Sequence, residues 1–242
     1  MIALEDIVVR FGGLVALNAV TASFTAPVSG IIGPNGAGKT TLMNIISGFL
    51  TSKGGHVTCE GTDLLTLSPH ARTRWGLRRS FQREQIAEDL TVWENLLALA
   101  DNLASPRAER KADIERAAEY AGVTAMKDKL GANLNTLERR LTDVARCMIG
   151  NPKLIMFDEP AGGMTPDETN RLGELIVGLP KQTPAQVLIV DHDVDLIQRI
   201  CAETLVLDFG KRIAFGETRS VLADPAVQSA YLGIADGEAD HA

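Results

Sequence analysis

Residues Gly33-Pro34-Asn35-Gly36-Ala37-Gly38-Lys39-Thr40, followed by Thr41, constrain this chain more than any other stretch. They fit the pattern G-x-x-x-x-G-K-[ST], a loop whose backbone N–H groups turn inward on phosphates. Upstream, residues 28–32 are short and β-branched enough for a buried strand. Downstream, Leu42, Ile45, Ile46 and Phe49 fall at i, i+3, i+4 and i+7, the apolar stripe of a helix. Strand, glycine-rich loop and helix in that order predict an anion site at a helix N-terminus, where the partial positive charge favours phosphate. In such a site Lys39 reaches the β- and γ-phosphates and the Thr40 hydroxyl ligates Mg²⁺. The ligand expected is a nucleoside triphosphate.

Composition narrows the remainder. With 242 residues and 45% apolar content, the chain can form one large α/β domain, or a core with a smaller lobe. A formal charge of −7 argues against a nucleic-acid-binding surface. Cys59, Cys147 and Cys201 are far apart, odd in number and without metal-ligand spacing, which reads as reduced core thiols of a cytosolic protein. No secretory leader opens the chain and no apolar run reaches the ~20 residues of a membrane helix, so a soluble protein is expected.

Residues 3–9 read as a first strand ending at Arg10-Phe11-Gly12-Gly13. Phe11 admits two readings, a core residue at a strand end or a ring that stacks on a nucleobase. Further strands are expected at 20–25, 56–59 and 77–82, with His56 a surface strand residue. Helices are expected from Pro69 to Gly76, from Thr91 with Val92, Leu96, Leu99 and Leu103 on one face, and from Ser105-Pro106 towards Ala121. Nothing between about residues 88 and 150 reads as a strand, so a helical lobe is expected inside an otherwise alternating chain. The tail after Gly233 reads as disordered.

Two more stretches carry chemistry. Leu154-Ile155-Met156-Phe157-Asp158-Glu159-Pro160 is a buried strand ending in paired carboxylates, at the strand end where open α/β sheets bind ligands. Asp158 there suits Mg²⁺, and Glu159 suits polarising an attacking water. Val187-Leu188-Ile189-Val190-Asp191-His192-Asp193 is another such strand. Its His192 either reaches a γ-phosphate or stands beside a helix capped by Asp191 or Asp193.

Together these residues resemble the ATP-binding subunits of ABC transporters, over nearly the whole chain. Gly33 to Thr40 matches the family's Walker A loop, and Leu154 to Asp158 its Walker B strand. The resemblance implies ATP and Mg²⁺ as ligands. It makes Glu159 the catalytic carboxylate and His192 the switch histidine. Gln82, in Ser80-Phe81-Gln82, becomes the glutamine that contacts Mg²⁺ and senses the transmembrane subunit; Phe11 becomes the ring on adenine. It implies a P-loop NTPase core of RecA-like α/β type, at residues 1–87 and 151–233, with an N-terminal antiparallel β portion. A helical subdomain at 88–150 and a disordered tail at 234–242 would complete the single domain.

Arg10-Phe11-Gly12-Gly13-Leu14, Leu90-Thr91-Val92-Trp93-Glu94-Asn95, Ala223-Asp224-Pro225-Ala226 and Ala230-Tyr231-Leu232-Gly233 are similar to the branched-chain amino-acid uptake subfamily. Ala161-Gly162-Gly163-Met164-Thr165 is similar to its urea and amide relatives as well. The implied protein is peripheral, on the cytoplasmic face of a bacterial inner membrane. Its implied partners are transmembrane permease subunits, a second ATPase subunit (identical or not) and, indirectly, a solute-binding protein; no nucleic acid is implied. The rivals are a non-transport nucleotide-dependent interaction protein of the same superfamily, which usually has duplicated cassettes or coiled-coil insertions, and a P-loop kinase.

The chain departs from the family twice. Leu134-Asn135-Thr136-Leu137-Glu138 stands where the family has Leu-Ser-Gly-Gly-Gln, and Thr165 where many relatives have Asp. In the family that signature meets the γ-phosphate held by the partner subunit. Asn135 is expected to cap the helix there, Leu137 to obstruct close approach of backbone, and Glu138 to repel the polyanion.

Overall fold

The structure, a computed structural model, describes residues 1–103 and 106–230. Ser105 and the sequence features at 231–242, including the expected tail and most of Ala230-Tyr231-Leu232-Gly233, lie outside the described residues. The chain divides into two compact units, Met1–Arg72 with Leu188 onward, and Thr73–Val187.

In the first unit, β1 (Ile2–Phe11) and β2 (Leu14–Phe24) form an antiparallel hairpin across Gly12-Gly13. On its other edge β1 pairs with β4 (Gly54–Cys59), which pairs with β5 (Thr62–Asp63), in the order β2-β1-β4-β5. Ile2, Leu4, Ile7 and Val9 point from β1 into the core. β2 begins six residues earlier than the strand expected at 20–25. Between the pairs Val9↔Leu17 and Ile7↔Val20 the hairpin carries a bulge, with Ala19 at φ +51, and this breaks the alternation that the rest of β2 shows. His56 is a surface strand residue, its ring nitrogen 2.7 Å from Asp63.

The same unit holds β3 (Val28–Ile32), buried throughout and paired in parallel with β9 (Glu203–Asp208); β9 pairs antiparallel with β10 (Lys211–Glu217). An all-buried strand has no solvent face to alternate with, and here even Ser29 is buried. α1 (Lys39–Ser47) follows β3 and buries Leu42, Ile45 and Ile46, but Phe49 lies past its C-cap Gly48 and is 62% exposed. The helix ends two residues short of the expected stripe. α7 (Val194–Ile200) and α8 (Thr218–Leu222) complete the unit. α2 (Pro69–Trp75) leads out of it, starting at Ser68-Pro69 as expected.

In the second unit, β6 (Leu77–Arg79) pairs in parallel with β7 (Leu154–Asp158). β6 stops three residues short of the expected 77–82: the Ser80 N–H still donates to Met156 O, and the chain then turns away. β8 (Gln186–Val190), buried throughout, begins in this unit and its residues from Leu188 on belong to the first. α3 (Val92–Asp101) starts at a capping box in which Thr91 and Glu94 satisfy each other's N–H groups. α4 (Arg107–Ala121), α5 (Thr136–Met148) and α6 (Pro166–Gln182) follow. Among the described residues from 88 to 150 there is no strand, only an isolated pairing of Thr91 with Leu130. Arg78, buried, donates to the carbonyls of Thr73, Leu77 and Ile149, fastening β6 to the end of α5. All three cysteines are buried free thiols.

Candidate functional site

In the first unit the phosphate loop is shaped by backbone that tolerates no side chain. Gly33 leaves β3 at φ +152, and a Cβ there would lie 2.1 Å from Leu207 O. Gly38, at φ +104, would place a Cβ 2.8 Å from Ala16 O. Between them Asn35 and Gly36 are exposed, while Ala37 is buried, its N–H on Pro34 O at 3.1 Å. Gly38 is the N-cap of α1 and offers no side chain to the first-turn N–H groups, and that turn has no acidic residue. The helix start is therefore left to attract an external anion. The Lys39 ammonium, buried beneath the loop, donates to Gly33 O at 2.6 Å and to Pro34 O at 3.0 Å. Thr40 is exposed on the first turn and Thr41 half-buried.

Phe11 ends β1 beside the hairpin turn and is 49% exposed, so it is not a strand-end core residue. At the end of β8, Asp193 caps α7 by accepting the Leu196 N–H at 2.9 Å, and the fully buried Asp191 accepts the Asp193 N–H at 3.0 Å. These two carboxylates fix the turn and leave His192 projecting from it, its side chain mostly exposed and Nδ1 3.7 Å from Asp191. The cap belongs to Asp193, as one of the two readings of this turn expects, and the imidazole takes no part in it.

In the second unit the structure brings Gln82 and Glu159 together: the Gln82 side-chain amide donates to Glu159 Oε2 at 2.6 Å. Glu159 has φ +48, left-handed backbone that a non-glycine residue adopts only where its surroundings hold it. Asp158, one residue earlier, is buried with one carboxylate oxygen 2.8 Å from Arg79 Nη2. Sequence reasoning missed Arg79, because its partner lies 79 residues away and no local pattern marks the pair.

In the first unit the Thr40 hydroxyl, and in the second the Asp158 carboxylate and Gln82 amide, supply hard oxygens of the type Mg²⁺ takes. Among the described residues no group of three or more His, Cys, Asp or Glu is arranged to hold a metal.

The departures from the family pattern have local explanations. Asn135 caps α5, accepting the Glu138 N–H at 2.9 Å, as expected. Glu138 does not stand free to repel a polyanion. Its carboxylate is 2.6 Å from Lys129 Nζ and accepts the Asn135 N–H, and these contacts hold it below the usual carboxylate range. Thr165 caps α6 in a capping box with Glu168.

A glycine-rich loop between buried strand and helix, and a second buried strand ending in Asp-Glu, make this an α/β protein of the P-loop nucleotide-binding class. The ABC transporter family model matches residues 22–162. The high-affinity branched-chain amino acid transport ATP-binding protein LivG of Salmonella typhimurium is 34% identical over 249 residues, 96% of this chain and 98% of the relative. BraF of Pseudomonas aeruginosa, with the same description, is 34% identical over 250 residues, again 96% and 98%. The solved structure of a nucleotide-free ATP-binding cassette from an ABC transporter superposes with a TM-score of 0.85 at 28% identity, covering 96% of this chain and 98% of that one. The chain belongs to the ABC transporter family, as an ATP-binding subunit and ATPase.

Proposed function

We propose that this subunit hydrolyses ATP to drive uptake of branched-chain amino acids through separate membrane-spanning subunits. The observation that carries the reading is the end-to-end likeness to LivG and BraF. No helix among the described residues is long and apolar enough to cross a membrane, which supports a peripheral role beside permease chains. We place it on the cytoplasmic face, as one of two ATPase subunits, served indirectly by a solute-binding protein. Residues 1–87 and 151–233 would be the nucleotide-binding core, and 88–150 the helical subdomain.

In this mechanism the loop from Asn35 to Thr41 wraps the phosphates and Phe11 stacks on adenine. Lys39 trades its Gly33 and Pro34 carbonyls for the β- and γ-phosphates. Mg²⁺, held by Thr40, Asp158 and Gln82, would neutralise charge on the transferring group. Glu159 takes the proton of the attacking water while Gln82 orients its carboxylate, and His192 donates to the γ-phosphate.

The site lent to a partner subunit is the weaker half. The N-terminus of α5 is already filled by Asn135 and by the Glu138 carboxylate with its Lys129 counter-ion. Leu137 stands where close backbone approach is needed. With a different partner that has an intact signature the two ATP sites would be unequal, and with a second copy of this chain both would be impaired.

The test is purification of the native complex from membranes, identification of every subunit, and labelled leucine uptake in proteoliposomes. ATP-dependent leucine uptake supports the proposal. Uptake of urea or short amides instead would favour the second reading, which rests on Ala161-Gly162-Gly163-Met164-Thr165. Absence of any membrane partner would favour the nucleotide-dependent interaction protein.

A further inference from the structure

Five residues after its cap, α5 buries an arginine that pairing alone does not explain. The Arg140 side chain is 3% exposed. Its Nη1 donates to Phe81 O at 3.1 Å, its Nη2 to Gln82 O at 3.0 Å, and Nη2 also lies 3.5 Å from Glu159 O. Its Nε faces Glu84 Oε1 at 2.9 Å as an ion pair, the Glu84 side chain itself only 13% exposed. Burying such a pair brings little net stability, and apolar residues of similar volume often serve as well. What apolar residues cannot do is gather three backbone carbonyls onto one planar cation.

Two of those carbonyls belong to Gln82 and Glu159, the residues joined through their side chains at 2.6 Å. Glu159 also holds a left-handed backbone, at φ +48, which needs outside support to persist. We propose that Arg140 is a positioning residue for hydrolysis: its guanidinium sets the backbone on both sides of the Gln82–Glu159 hydrogen bond. Because Arg140 rides on α5, whose first turn is the altered signature, a rotation of that helix moves Glu159. The inference rests on Glu159 being the general base.

The test compares Arg140→Met/Glu84→Gln, Arg140→Lys and Glu159→Gln, by hydrolysis in the complex with its membrane subunits and by direct nucleotide titration of the chain. The double variant removes both charges together, so that no buried ion is left alone. It is expected to bind ATP within about twofold of wild type, with KM little changed and kcat down about tenfold or more, the signature of lost transition-state positioning. A purely structural arginine would not split the two parameters. Arg140→Lys keeps a charge for Glu84 but cannot span the carbonyls, and should recover less than half of the turnover.

Wild-type kcat in the double variant overturns the proposal, as does an equal loss of affinity and turnover. If the double variant fails to fold, full turnover by Arg140→Lys overturns it. Near-normal turnover in Glu159→Gln would instead overturn the general-base reading. A dead Glu159→Gln beside a fully active double variant removes only the role of Arg140.

Discussion

The side-chain amide of Gln82 donates to Glu159 Oε2 at 2.6 Å, joining the turn after β6 to the turn after β7. The bond ties the segment that follows β6 to the carboxylate proposed to activate water.

Glu159→Gln should keep ATP affinity and lose turnover by about a hundredfold or more, since an amide keeps the shape but cannot accept a proton. Steady-state hydrolysis by the reconstituted complex measures this, with near-normal turnover removing Glu159 from the role of base.

Lys39→Ala acts earlier, on binding. It deletes the ammonium now shared between Gly33 O and Pro34 O, and with it the charge offered to the phosphates. A charge-assisted hydrogen bond contributes roughly 1.5–3 kcal/mol, so ATP affinity should fall about ten- to a hundredfold. An unchanged dissociation constant in a direct titration would count against the phosphate-loop reading.

The segment from Arg83 to Glu88, with Arg139, lines a hollow of about 720 Å³, and Gln85 and Glu88 are exposed there. We expect cysteines at either position to crosslink to the transmembrane subunit. Crosslinks arising only from a distant face would move the docking surface elsewhere.

Restoring the signature by Asn135→Ser, Leu137→Gly and Glu138→Gln should raise hydrolysis if the partner-facing site is impaired. No gain, in a complex that still assembles, means the altered signature works as it stands. The same change should cost stability, because Glu138 leaves both Lys129 and the Asn135 N–H.

Acid should expose that cost. Lys129 first, and then the Asn135 N–H, lower the Glu138 pKa from its ordinary 4.5. A carboxylate lowered in the folded state stabilises it fully above the unfolded value, and that contribution drains as pH falls through the folded value. Melts at successively lower pH below about 4.5 should therefore show Tm falling more steeply for the wild type than for Glu138→Gln. Parallel curves would mean Glu138 contributes nothing to folding.

The parts of this protein legible in its sequence are those in which neighbours decide the outcome. β3, short and rich in β-branched residues, and β7, apolar up to its Asp158, both end in turn chemistry and both were expected where they occur. Thr91 and Asn135 announce helices through a carboxylate three residues on. The first half of β2 was hidden because the bulge near Ala19 breaks a two-residue period. Phe49 sits at helical spacing from a helix that Gly48 has already ended. In the site, Lys39, Asp158 and Glu159 are marked by motif. Arg79, Lys129 and Arg140 are not, since each meets its partner only through tertiary folding, and a surface arginine looks the same in a sequence.

The phosphate loop is enclosed by chain made much later. Gly210 N–H donates to Ala37 O at 3.0 Å, and Gly210 O accepts the Asn18 N–H at 2.8 Å, so the loop, β2 and the β9–β10 turn close on one another. The motif is synthesised before its partner, and its enclosure waits on a residue some 170 positions downstream. A nascent chain halted short of Gly210 would carry every letter of the motif without its finished shape. A motif whose letters are contiguous thus takes its final form only through contacts of long sequence separation.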